Sequence, residues 1–316
     1  MSLDNLVRIG PLVSVILPTF NRAHTLPRAI WSVLNQSYSN IELLVVDDAS
    51  ADNTSDIVRA IGDPRVRYLL LPKNGGASFA RNAGMREAKG AFLAFQDSDD
   101  EWLADKLAKQ VRAAVEAGSE SVTVFHTKIL YGRDGNGRYG PQKVCCLPVV
   151  SGRDRLDFCE LIQRRNLVSP QALLISRAAF EMAGFFDEDL VNNEDWALGI
   201  ELFYNSKVVF LDEPLVMTYL QGDSISTLMR KGARAQLRVV QKIRKLPDVG
   251  LGVVGNHLGR IGWGIAKLGH PRRARRLLRM AVRLEPRNWR NWARILVTET
   301  RIVFAALSPA KPPRAR

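Results

Sequence analysis

At 316 residues, 46% of them hydrophobic and 24% charged, the chain can form one large domain with an appendage or two modest domains. That composition excludes wholesale disorder and collagen-like repeats, and no apolar run approaches the roughly 18–20 residues of a membrane-spanning helix. The net charge of +13 is uneven: residues 228–316 hold 22 basic and 3 acidic residues, whereas 1–227 hold 23 and 29.

In chain order, Val13 to Leu17 reads as a buried strand that Pro18 ends, followed by a helix carrying Leu26, Ile30, Val33 and Leu34. Ile41 to Val46 is a second strand. Asp52-Asn53-Thr54-Ser55 supplies the start of a helix through Ile57, Val58 and Ile61. Val66 to Leu71 is a third strand, Asn74-Gly75-Gly76-Ala77-Ser78 leads into a helix with Phe79, Ala83 and Met85, and Ala91 to Phe95 is a fourth strand. Residues 131–140 suggest a hairpin or loop, and 152–165 a helix that helps shape an acceptor pocket. This alternation implies an α/β class, with a Rossmann-like, mostly parallel sheet over 1–227 and helices on both faces. A basic helical region over 228–316 follows.

In such sheets the ligand lies beyond the carboxyl ends of the strands. The residues there are Thr19-Phe20-Asn21, Asp47-Asp48-Ala49-Ser50 and Gln96-Asp97-Ser98-Asp99-Asp100. Asp97 and Asp99, as alternate residues at a strand end, would point the same way and could share one hard cation, Mg²⁺ or Mn²⁺. The alternative is that Asp99 caps a helix bearing Trp102, Leu103 and Leu107. One of Asp47 and Asp48 could accept hydrogen bonds from a nucleoside, or the pair could only build a turn. Gly75-Gly76 leaves backbone free to approach a phosphate, or forms no more than the turn into a helix. Glu194-Asp195, ahead of Trp196, Leu198, Ile200, Leu202 and Phe203, would on their own pattern be a helix cap.

Several of these segments, in order, resemble the signatures of family 2 glycosyltransferases of the GT-A fold. They are Val15-Ile16-Leu17-Pro18-Thr19-Phe20-Asn21-Arg22, Leu44-Val45-Val46-Asp47-Asp48-Ala49-Ser50-Ala51-Asp52-Asn53-Thr54, Asn74-Gly75-Gly76-Ala77-Ser78-Phe79-Ala80-Arg81-Asn82-Ala83-Gly84 and Asp97-Ser98-Asp99-Asp100-Glu101-Trp102. Gly184-Phe185-Phe186-Asp187-Glu188 and Asn193-Glu194-Asp195-Trp196 resemble the acceptor-side segment. The resemblance implies inverting transfer of a sugar from a nucleotide-diphosphate donor, a UDP-sugar, to a hydroxyl of a glycan or lipid-linked saccharide. It implies that Pro18, Thr19, Phe20, Asn21, Asp48, Gly76, Arg81, Asp97 and Ser98 surround the nucleotide, with Asp48 facing the base. Asp97 and Asp99 would hold Mn²⁺ or Mg²⁺, Asp99 most directly, and Asp195 would be the general base with Glu194 beside it. Gln221 stands where the family often has a His, and the absence of a Gln-x-x-Arg-Trp motif points to single additions. A sugar-phosphate nucleotidyltransferase and a catalytically silent binding module are the alternative readings.

The N-terminus shows no basic-then-apolar leader, and Cys145, Cys146 and Cys159 are too few for a disulfide framework, so a cytoplasmic location is expected. In the tail, Leu258, Ile261, Ala274, Leu278, Ala281 and Pro286 fall at tetratricopeptide spacing, and one such unit would need the first domain or a second chain to cover it. Arg272, Arg276, Arg279 and Arg283 share one helix face. They could be solvated, or dock the protein peripherally on an anionic membrane with Trp263, Trp289 and Trp292 as anchors. Nucleic acid ranks last, for want of any accompanying motif.

Overall fold

The computed structural model describes residues 10–133, 139–145, 155–190, 192–220, 229–247 and 249–307. The chain forms two units, residues 1–227 and 228–316. In the first, strands β1 (Val13–Thr19), β2 (Ile41–Asp47), β3 (Val66–Leu70) and β4 (Phe92–Phe95) alternate with helices α1 (Leu26–Leu34), α2 (Thr54–Ile61) and α3 (Ala77–Glu87). The strands run parallel in the order β3-β2-β1-β4. Every residue of β1 and β2 is buried, so both read as continuous apolar runs rather than as alternation.

Pro18 does not end β1: the strand continues to Thr19 in register with Asp47. The pairing with β4 stops at Ile16, whose carbonyl accepts from the Gln96 amide. Pro18, two residues on, faces that same side, where no ladder remains to lose a donor.

Ile30 and Val33 of α1 lie with Leu107 and Val111 of α4 (Lys106–Glu116) in the core cluster that includes Val15, Leu43 and Val45. On the other face α3 approaches Ile16 and Val46. At Gly84 a Cβ would fall 2.6 Å from Ile16 Cγ2, so a glycine is needed for this helix to sit so low on the sheet.

Beyond β4 the sheet turns mixed. β8 (Leu173–Ser176) is antiparallel to β4 and to β6 (Val122–Arg133), β6 is parallel to β9 (Lys207–Tyr219), and β5 (Glu101–Trp102) is antiparallel to β9. β7 (Tyr139–Cys145) pairs antiparallel with β6, and residues 134–138 of the expected hairpin or loop lie outside the described residues. Helices α5 (Arg155–Arg164), α6 (Arg177–Ala183) and α7 (Glu194–Asn205) complete the unit. Trp102 therefore lies in a strand, and the helix expected around it starts at Lys106 with Asp105, not Asp99, at its N-terminal boundary.

One buried polar network ties β1, β2, β3 and the α3–β4 turn together. Glu42 accepts from Ser14 Oγ at 2.6 Å, the Lys89 amide at 2.6 Å and Arg67 at 3.0 Å, while Ser14 Oγ accepts from the Gly90 amide. Burial alone would raise this carboxyl, but those hydrogen bonds and the Arg67 charge hold it below its usual range. Its contribution is therefore present above the unfolded carboxylate value and is lost as pH falls through the folded one. Glu42→Ala strands the Ser14 and Lys89 donors and is expected to cost about 3 kcal/mol, read as a lowered urea midpoint.

The second unit is helical: α8 (Met229–Lys245), α9 (Leu251–Lys267), α10 (Pro271–Leu284) and α11 (Trp289–Leu307). Val254, Leu258 and Ile261 of α9 meet Ala281 of α10 and Val240 of α8. Ala274 and Leu278 of α10 meet Ala266, with Trp263 and Ile295 packed beside them. The tetratricopeptide-like pair α9–α10 thus packs against its own neighbours α8 and α11. No helix among the described residues is long and apolar enough to cross a membrane.

Candidate active site

The loops after β1 and β2 are laced together. The Asp48 amide donates to the Thr19 carbonyl at 2.9 Å, the Asn21 amide to Ser50 Oγ at 2.9 Å, and the Ala51 amide to Asn21 Oδ1 at 2.8 Å. Asp47 Oδ1 accepts from the Ser50 amide and Oδ2 from Tyr68 Oη, so this carboxylate builds the turn. Asp48 is buried, and its two oxygens accept from the amides of Gly75 at 2.8 Å and Gly76 at 2.7 Å. It thereby fixes the start of α3, where Gly76 takes φ +88°, a conformation glycine adopts without strain. Of the other residues expected here, Pro18 is buried within β1, Phe20 is 44% exposed, and Thr19 Oγ1 is buried with no hydrogen-bond partner.

Among the described residues the non-glycine residues with positive φ are Asn21 (51°), Ala49 (62°) and Asn193 (65°), and all three sit in loops that carry expected site residues. Such backbone costs on the order of 1 kcal/mol per residue and persists where the surroundings over-determine it. At Ala49 the turn is held by its neighbours, the Ser50 amide donating to Asp47 Oδ1 and the Ala51 amide to Asn21 Oδ1.

Asp97, Ser98 and Asp99 do not continue the strand. They form a turn, with the Asp100 amide donating to the Asp97 carbonyl at 3.2 Å, so strand alternation is not what sets their directions. All three are half-exposed, whereas Asp100 is buried and its Oδ1 accepts from the Tyr219 amide. Burial, reinforced by the Asp97 and Asp99 charges, pushes the Asp100 carboxyl up to about 7. This crowding of negative charge is an environment that a divalent cation would relieve. Among the described residues no group of three or more His, Cys, Asp and Glu side chains forms a closed metal site. Mg²⁺ and Mn²⁺, which commonly take one or two carboxylates plus substrate phosphate, do not need one, and Asp97 with Asp99 suits that chemistry.

Arg81 joins this turn to Glu194 at the start of α7. About 7.5 Å along α3 from Gly76, its Nη2 donates to Asp97 Oδ1 at 2.8 Å and its Nη1 lies 3.6 Å from Glu194 Oε1. The residue is buried, and Nε and Nη1 have no hydrogen-bond partner. Glu194 and Asp195 open α7. Asp195 Oδ1 accepts from the Trp196 amide at 2.7 Å, and Asn166 donates to the same carboxylate. Burial raises the Asp195 carboxyl, against the pull of Asn166, the Trp196 amide, Arg81 and Lys128. Glu194 is raised by burial and by the Asp195 charge, with Arg81 opposing.

Three supporting residues escaped the sequence reading. Arg28 donates to the Asp99 carbonyl at 2.5 Å and lies 3.7 Å over the Tyr219 ring. Asn82 donates to the Phe186 carbonyl and Glu188 Oε1 and accepts from the Phe186 amide, pinning the acceptor-side loop to α3. Asn166 accepts from the Val168 amide through Oδ1, which turns its NH₂ group toward Asp195. Gln221 lies outside the described residues.

Comparison with known proteins follows the same geometry. The description "Glycosyl transferase family 2" matches residues 14–156. The chain is 31% identical over 214 residues to an uncharacterized glycosyltransferase of Rickettsia prowazekii, covering 67% of this chain and 65% of that protein. It is 48% identical over 158 residues to WfgD of Escherichia coli, named a UDP-Glc:alpha-D-GlcNAc-diphosphoundecaprenol beta-1,3-glucosyltransferase, covering 46% of this chain and 62% of that one. The alignments thus span somewhat less than two thirds of either relative's length. In structure it is similar to TarS of S. aureus in complex with UDP-GlcNAc (TM-score 0.58, 20% identity, 93% of this chain and 92% of that one). It is also similar to the mannosyltransferase PcManGT of Pyrobaculum calidifontis in complex with GDP-Man and Mn²⁺ (TM-score 0.58, 18% identity, 96% and 77%). Those two likenesses establish the GT-A fold, and the sequence matches make the chain similar to glycosyl transferase family 2.

Proposed function

We propose that the protein is an inverting, metal-dependent glycosyltransferase that moves one sugar from a UDP-sugar to a hydroxyl of a glycan or lipid-linked saccharide. The observation that carries this reading is the double attachment of Arg81, to Asp97 on the strand-end turn and to Glu194 at the start of α7. On this reading one guanidinium ties the expected donor side to the expected acceptor side.

On this reading Phe20 stacks on the base, and Thr19 Oγ1 and the unpartnered Arg81 donors meet the nucleotide. Asp48 acts by holding the Gly75–Gly76 turn that frames the base. Asp97 and Asp99 would hold Mn²⁺ or Mg²⁺, which when bound neutralises charge growing on the departing diphosphate. Asp195 takes the proton of the acceptor hydroxyl as that oxygen bonds to the anomeric carbon. The bond from that carbon to the diphosphate oxygen breaks, the diphosphate leaves with the electron pair, and attack from the opposite face inverts the centre. Glu194 contacts the acceptor. The names of WfgD and the TarS complex support a UDP-linked donor, and the PcManGT complex makes GDP the control.

Calorimetric titration of UDP and of GDP, with Mn²⁺ and again with EDTA, tests the donor site. UDP binding that needs the metal and is lost in Asp99→Ala is the expected result. Preference for GDP would overturn the donor assignment, and no binding of either would overturn the enzyme reading.

A further inference from the structure

The long last helix of the second unit has two faces with opposite needs. Along α11, Asn291, Thr298 and Ile302 are buried, and Ile295 packs against the Ala274–Leu278 cluster. The other side carries Trp289 (71% exposed), Trp292, Leu296 (69%), Val303 and Phe304 (66%). At 100° per residue these positions form one apolar stripe along a helix of about 28 Å. A run of exposed tryptophan, leucine and phenylalanine of that length is not scattered surface, and it needs an occupant.

At the N-terminal end of the stripe lies a cavity of about 410 Å³, lined by Arg260, Arg287, Arg290, Arg294, Glu285 and Trp289 among others. None of the four arginines forms an ion pair among the described residues. Glu299 is taken by Arg275 and Arg279, and Glu285 accepts from the amides of Asn256 and Asn288. Burial and the nearby Arg260 and Arg290 charges lower the Arg294 pKa, so the cluster is self-repelling as it stands. Guanidinium groups in that number, at the start of a helix whose first amides add positive charge, make a receptor for phosphate.

We infer that α11 lies in the plane of an anionic membrane, its apolar stripe among the acyl chains and a lipid phosphate in the Arg260–Arg294 cavity. Arg290, Arg294 and Arg301 on α11 rule out spanning and favour lying at the interface. Charge decides between a lipid and a second copy of the chain. Residues 228–316 carry 22 basic against 3 acidic residues, so pairing two of these units would press like charges together, whereas an anionic headgroup layer complements them.

Flotation of the full chain with phosphatidylcholine vesicles, with and without phosphatidylglycerol, tests this. Association with the anionic vesicles is expected, with tryptophan fluorescence quenched by brominated acyl chains. Trp289→Ser/Leu296→Ser/Phe304→Ser should abolish both, with helicity and UDP binding retained because these side chains are exposed. Arg260→Gln/Arg290→Gln/Arg294→Gln should weaken vesicle binding on the order of 100-fold, at about tenfold per 1.4 kcal/mol. The inference fails if wild-type protein ignores anionic vesicles. It also fails if the stripe variant binds them unquenched and undiminished, or if inorganic phosphate displaces the protein as well as lipid phosphate does. Light scattering that shows a dimer dissolved by the stripe variant would assign the face to a second copy instead. UDP titration of the same samples separates each of these failures from a failure of the proposed reaction.

Discussion

Asp195→Asn is expected to lower turnover about 10³-fold while leaving UDP affinity unchanged, the loss that removal of a general base entails. The substitution keeps shape and leaves an oxygen for the Trp196 amide, so the start of α7 survives. The pH profile gives a second readout. Because burial raises the Asp195 carboxyl, the residue becomes a competent base only as pH rises through that elevated value, and turnover of the wild type should climb across it. Stability moves the other way. A carboxylate whose folded pKa is raised disfavours the native state as pH rises and it ionises, so the neutral Asn should leave the thermal midpoint unchanged or raised. If Asp195 were only a helix cap, the variant would lose about 1 kcal/mol of stability and keep its turnover. The two roles therefore predict opposite pairs of results, and calorimetry beside a product assay distinguishes them.

What was legible in the sequence follows from how local each cause is. β1 and β2 announce themselves because both faces are buried, which demands an unbroken apolar run whatever lies far along the chain. The Asp52–Thr54 start of α2 is equally local, satisfied within two residues. The mixed half of the sheet was not visible. β6 and β9 are long, but their register slips between His126 and Thr127 and again before Lys128, which breaks the alternation a strand would show. Asp97 and Asp99 stand out by residue type, but the strand alternation invoked for them does not hold, since a turn rather than a strand sets their directions. Arg28 looked like an ordinary polar position on a helix, and Asn82 stood in a signature without a role of its own. Their partners, Asp99 and Phe186, lie 71 and 104 residues away, and no spacing rule reaches that far. Asp48 shows the converse: its type and place pointed to a site, but its engagement with two glycine amides required the folded loop.

Arg81→Met should weaken UDP binding at least tenfold and destabilise the first unit by about 2 kcal/mol, below the usual cost of breaking a buried pair because Asp97 and Glu194 keep some contact with solvent. Methionine fills the volume beside Phe186 but leaves Asp97 and Glu194 facing each other without the cation between them. The Glu194 carboxyl, already raised by burial and by Asp195, then rises further, so the destabilisation should shrink as pH falls and it takes up its proton. Arg81→Lys separates charge from shape. An ammonium restores one positive charge and most of the stability, but it cannot reach Asp97 at 2.8 Å and Glu194 at 3.6 Å as the two ends of a planar fork do. The lysine variant is therefore expected to fold nearly as well as wild type in urea and still bind UDP poorly. Equal recovery of both would mean that Arg81 serves the site only as a charge. Recovery of neither would make it a packing residue of α3, and the tie between the two halves of the cleft would have to be sought in Asn82.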